Sequence, residues 1–133
     1  MLKTQKYRIA FLVWMGLVTW ASLATFPEED TPDLGIPHFD KLVHFGFYFG
    51  AAVLGTLYVR EAMHDSPPLT RTLIYVALGT IIYGIIIEVL QHILTVDRQA
   101  DIFDVVANSL GAIIGVWVLN KLFSSPKGLK WKK

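Results

Sequence analysis

The chain has 133 residues, enough for one domain, of which 53% are hydrophobic and only 17% charged. A soluble domain is usually nearer a quarter charged, and the mean hydropathy of +0.47 also points to a membrane protein. With no cysteine, disulfides and thiol chemistry are excluded, and a net charge of +1 says little until its distribution along the chain is considered.

Residues 1–8 carry Lys3, Lys6 and Arg8, and Ile9 to Phe26 is an uncharged run of 18 residues containing Trp14 and Trp20. At 1.5 Å per residue that run approaches the roughly 30 Å hydrocarbon thickness of a bilayer. A cleaved signal peptide over residues 1–24, ending at Ser22-Leu23-Ala24, is the competing reading. The spans that follow directly favour a retained helix. Residues 27–37 hold three prolines and four acids and read as a loop.

A second span is expected over 39–59, with Gly46, Gly50, Ala51 and Gly55 giving small-xxx-small spacing for close helix contact. A loop over 60–70 contains Glu61, His64, Asp65, Pro67 and Pro68. The third span covers 71–95, a tight turn 96–99, and the fourth span 100–123, followed by a basic tail over 124–133 with Lys127, Lys130, Lys132 and Lys133. The expected fold is therefore all-α: a polytopic membrane protein of four transmembrane helices in a compact bundle, forming a single domain over 1–133.

Four spans place both termini on one side. The N-terminus, the middle loop and the tail with its adjoining helix ends hold ten of the twelve basic residues, and only Lys41 and Arg98 lie on the other side. The positive-inside rule then makes both termini cytoplasmic. The tail is an orientation and anionic-lipid signal. It is short and has no aromatic-interleaved platform, so no nucleic-acid partner is expected.

On this topology the polar residues converge. Asp40, Lys41 and His44 open the second span; Glu88, Gln91 and His92 close the third; Asp101, Asp104 and Asn108 open the fourth. Asp40 and His44 are i, i+4, as are Glu88 and His92, so each helix presents polar groups on one face. His44, Glu88 and Asn108 each lie about seven residues, or roughly 10 Å, inside the outer boundary. A carboxylate or imidazole at that depth costs several kcal/mol unless paired or hydrated.

Lys41 and Arg98 break the positive-inside pattern beside these acids, either to neutralise carboxylates or to hold an anionic group. Glu88 and His44 are the candidates for general acid–base work. The His and carboxylate side chains are legitimate metal ligands, but with no HExxH and no cysteine the sequence assigns neither a metal nor a cofactor. Ser109 lacks a surrounding GxSxG and reads as a packing residue. Asp101 taken singly reads as a helix cap.

Taken together, Asp40-Lys41-x-x-His44, Glu88-x-x-Gln91, Arg98 and Asp104-x-x-x-Asn108-x-x-Gly111-x-x-x-Gly115 resemble the VanZ-like family over about residues 9–123. That family of bacterial membrane proteins is named for one that raises teicoplanin resistance. The resemblance implies a cell-envelope role and ranks Lys41, His44, Glu88, Gln91, Arg98, Asp104 and Asn108 as the binding pocket, with Asp40, His92 and Asp101 behind them.

The leading expectation is an outward-facing polar pocket in the bacterial cell membrane. Its partners would be membrane lipids, a lipid-linked envelope precursor or a glycopeptide. The small-residue faces also permit a homo-oligomer. The alternatives are a membrane-embedded acid–base enzyme acting on a lipid-linked substrate, and a structural module whose polar residues only lock helix packing.

Overall fold

The computed structural model describes residues 5–24, 35, 38–63, 67–95, 101–128, 130 and 131. Four helices account for nearly all of them: α1 (Lys6–Leu23), α2 (Phe39–Ala62), α3 (Leu69–Leu94) and α4 (Ile102–Ser124). There is no strand among the described residues. By length and composition α2, α3 and α4 can each cross a membrane. In α1 the apolar stretch begins only after Lys6 and Arg8, and Ile9 to Leu23 spans roughly 22 Å of helix, short of a bilayer core.

The burial pattern is that of a protein solvated by lipid. Large apolar side chains such as Leu12, Ile82, Ile93, Phe103, Ile113 and Trp117 point outward, while His44, Thr56, Thr80, Glu88, Gln91 and Asn108 are buried. Lipid offers no hydrophobic gain for burying leucine, so small and polar residues share the interior with a few large apolar side chains such as Ile87 and Leu119. The threonines find partners locally: Thr56 donates to the Ala52 carbonyl at 2.9 Å and Thr80 to that of Val76 at 2.7 Å.

The helices run up, down, up, down. The start of α2 meets the start of α4 through Lys41 and Asp104, and the end of α3 meets the end of α1 through Gln91, which donates to the Ser22 carbonyl at 2.7 Å. At the other end Glu61 of α2 accepts from the first-turn amides of Tyr7 and Arg8 at 2.9 and 3.1 Å, capping α1. Also at that end, the carbonyl of Lys130 accepts from Arg60 and that of Pro67 from the Trp131 indole, beside a cluster of Leu73, Leu119 and Phe123.

The closest helix contact is α2 on α4. A Cβ added at Gly111 would strike the Phe45 carbonyl oxygen and lie 3.0 Å from the Phe49 amide nitrogen; one at Gly115 would lie 3.0 Å from the Phe49 carbonyl oxygen. Glycine is needed here because backbone, not a movable side chain, fills the space. The α2 glycines play other parts. Gly50 makes room for the Trp14 indole, which donates to the Phe47 carbonyl at 2.9 Å, and Gly46 faces open space. The small-xxx-small contact thus rests on α4 rather than on Gly46.

Gly111→Ala is expected to lower stability by about 1–3 kcal/mol through overpacking against fixed backbone. Gly79→Ala, where an added Cβ meets nothing within 4 Å, should be neutral or stabilising by up to about 1 kcal/mol from helix propensity. Thermal unfolding of the two variants in detergent compares them directly.

Candidate functional site: a polar cluster at one end of the bundle

Three helices deliver the cluster. On α2, Lys41 and His44 are one turn apart, which stacks the ammonium above the imidazole. On α4, Asp101 caps the helix by accepting from the Phe103 amide at 2.9 Å, and Asp104 and Asn108 follow at one-turn intervals down the buried face. Glu88 comes from α3, where Gly84 one turn earlier lets the Tyr48 ring and the Asn108 amide approach the helix, at 2.9 and 3.3 Å from a Cβ built there.

At the rim, the Lys41 ammonium donates to Asp40 at 2.9 Å, Asp101 at 2.7 Å and Asp104 at 2.6 Å. All three ammonium donors are used, so Lys41 serves to gather carboxylates and is not available to hold an anion. Exposure follows depth: the Asp40 side chain is 62% exposed and that of Lys41 23%.

Below the rim sit His44, Glu88 and Asn108. His44 Nδ1 lies 3.0 Å from Asn108 Oδ1; with Asn108 accepting, the proton resides on Nδ1 and Nε2 is left facing Asp104 Oδ2 at 3.7 Å. Asp104 divides its oxygens, Oδ1 to Lys41 and Oδ2 toward the imidazole. Glu88 divides its own likewise. Oε2 receives a long contact from the Asp101 amide at 3.5 Å, and Oε1 stands 4.0 Å from His44 Nδ1 with no hydrogen-bond partner among the described residues. Asn108 Nδ2 and the Tyr48 hydroxyl are also buried without a partner among the described residues. Chemically, the arrangement is a carboxylate–imidazole–carboxylate set in a low-dielectric setting, closed above by a salt bridge.

Of the residues singled out in the sequence, the structure brings together Lys41, His44, Glu88, Asp104 and Asn108, with Asp40 and Asp101 at the rim. Three others do not join them. Gln91 is buried but turned to α1, where it bonds Ser22. His92 is exposed and does not share the face of Glu88. At roughly 100° per residue the buried stripe of α3 is centred between Glu88 and Gln91, which leaves His92 at its edge, facing out. Arg98 lies outside the described residues.

The contribution of α1 is the element that sequence reasoning missed: the Ser22 carbonyl receives Gln91, and the Thr19 hydroxyl pairs with that of Tyr83. The available signal was a small polar pair at i, i+3 inside an otherwise apolar run. A shallow apolar groove of about 340 Å³ between α3 and α4, near Leu73, Ala77, Trp117 and Asn120, lies toward the opposite end and contains none of the cluster residues.

Replacing Lys41 with Met leaves three carboxylates facing one another. The loss should be about 2–3 kcal/mol, below the roughly 3–5 of a wholly buried pair because the side chain is partly exposed. Asp101, outside the spans, has its carboxyl held below its ordinary 3.8 by the Lys41 hydrogen bond first and the Phe103 amide second. A depressed carboxyl stabilises fully above its unfolded value, and that contribution is lost as pH falls through the folded one. Melting temperatures followed from pH 6 downward should therefore drop below about pH 4, and Asp101→Asn should flatten that part of the profile.

A family model described as VanZ/LLP1 matches residues 3–124. No curated protein and no solved structure gives a significant match. The matched range takes in α1 through α4 and every residue of the cluster, and the chain belongs to the VanZ/LLP1 family.

Proposed function

We propose that the protein is a four-span protein of the bacterial cell membrane, with both termini cytoplasmic, that serves the cell envelope through a polar site at its outer-leaflet end, beneath the Lys41 salt bridge. Membership of the VanZ/LLP1 family supports an envelope role of the resistance type.

The observation that carries the proposal is the convergence of Lys41, His44, Glu88, Asp104 and Asn108 from three helices at one end of the bundle. The end where Arg60, Lys121 and Lys130 lie is the cytoplasmic one by the positive-inside rule. The cluster then faces out. Lipid-buried polar groups that leave Glu88 Oε1 and Asn108 Nδ2 unpaired are costly for packing alone, which favours a binding role over a purely structural one.

The site is acidic, with Lys41 already neutralised. Its fit is to hydroxyl- and amine-bearing headgroups, such as the sugar portion of a lipid-linked envelope precursor or of a glycopeptide, rather than to a bare phosphate. Glu88, Asp104 and Asn108 act as acceptors and donors at the base of the site, and Arg98 is assigned to its edge.

Reporter fusions at residue 30 and residue 98 should read outside, and one at residue 65 inside; the reverse pattern would turn the site toward the cytoplasm. In a deletion strain with an envelope phenotype, such as altered teicoplanin sensitivity, Glu88→Gln and Asp104→Asn expressed at normal levels should fail to complement. Full complementation by both would refute a role for the site.

A further inference from the structure

We infer that His44, Glu88 and Asp104 form a binding site for one divalent transition-metal ion, zinc or manganese in type, buried beneath the Lys41 salt bridge. One ligand atom from each residue lies within 4.8 Å of the other two. Atoms so spaced share a point about 2.8 Å from each (4.8 Å divided by √3), and a shift of under about 1 Å per arm brings them to the roughly 2.0–2.2 Å of zinc–nitrogen and zinc–oxygen bonds. An imidazole with two carboxylates is a donor set suited to zinc, manganese or ferrous iron.

Independent observations point to a ligand. The Glu88 side chain is 4% exposed, and its Oε1, 4.0 Å from His44 Nδ1, has no hydrogen-bond partner among the described residues. With Asn108 accepting from Nδ1, His44 Nε2 is the nitrogen turned toward Asp104 Oδ2, 3.7 Å away, a separation that two ligands of one ion can span. The Asn108 contact is the outer-shell hydrogen bond that orients a metal-binding histidine.

Charge agrees. Asp40, Asp101 and Asp104 meet the single ammonium of Lys41, and Glu88 adds a fourth carboxyl below them, beside the Asp101 amide. The described groups of the site thus carry more negative charge than Lys41 offsets, which favours a bound cation. Lys41 does not compete for the ion: it takes Asp104 Oδ1 and leaves Oδ2 toward the imidazole. The coordination positions left over would be open to water or to a headgroup oxygen.

The inference does not depend on the envelope role, and its test is separate from any cell phenotype. Full-length protein in detergent is stripped with EDTA and titrated with cobalt, followed by visible absorption, and with zinc and manganese, followed by calorimetry. One ion per chain is expected, with cobalt absorption bands and a higher melting temperature. Glu88→Gln and His44→Gln should remove the bands. Asn108→Ala should weaken binding by roughly tenfold or more, as outer-shell losses do, and Asp40→Asn at the rim should change it less than about threefold.

Asp104→Asn provides a second ligand deletion should Glu88→Gln fail to fold. The inference is overturned by wild-type protein that binds no more metal than Glu88→Gln, or by Asp40→Asn abolishing binding as fully as Glu88→Gln, which marks an adventitious acidic surface. A protonated-carboxyl infrared band that persists at saturating metal and disappears in Glu88→Gln would overturn it too, since the site would then be neutralised by a proton.

Discussion

The ammonium of Lys41 is the interaction on which this end of the bundle depends. It sits one turn into α2 and reaches across to the cap and first turn of α4. Asp101 is thereby both a helix cap and an ion-pair partner, so the start of α4 is fixed in angle and in register by one residue. With that register set, Asp104 and Asn108 come down on His44, and Glu88 of α3 closes the third side. Loss of this contact would not simply remove a surface pair; it would leave the deeper groups without a defined geometry.

A second constraint works with it farther down the helices. Gly111 and Gly115 let α4 lie on the backbone of α2 at Phe45 and Phe49, and the same two turns of α2 carry His44 and Tyr48 on the buried face. Dispersion between closely packed backbones and hydrogen bonding among a few polar side chains are the main sources of association available to helices in lipid. Here both act on one helix pair, and α3 and α1 are added to it: α3 through Glu88 and Gly84, and α1 through Trp14, Thr19 and the Ser22 carbonyl.

Much of this is written in local sequence. Apolar runs bounded by Pro37, Pro67, Pro68 and charged turns locate the helices to within a few residues, and one-turn spacing places Asp104 and Asn108 on one face. What is not local was not legible. The relative rotation of helices decides that Gln91 serves α1 instead of the cluster, because a glutamine at the edge of two faces satisfies whichever neighbour comes first. His92 faces out because four residues overshoot a 3.6-residue turn, and on α3 that overshoot crosses from the interior to the exposed face. The threefold engagement of Lys41 also depends on the proximity of two helix starts sixty residues apart, which periodicity does not encode.

Glu61 has a bearing on how the bundle is assembled. The carboxylate that accepts from two opening amides of α1 belongs to the last turn of α2 and not to α1 itself. Until α2 has turned back on α1, those amides are left to water. The cap of the first helix therefore exists only once the second lies beside it, which makes the α1–α2 hairpin, rather than α1 alone, the unit that this carboxylate stabilises.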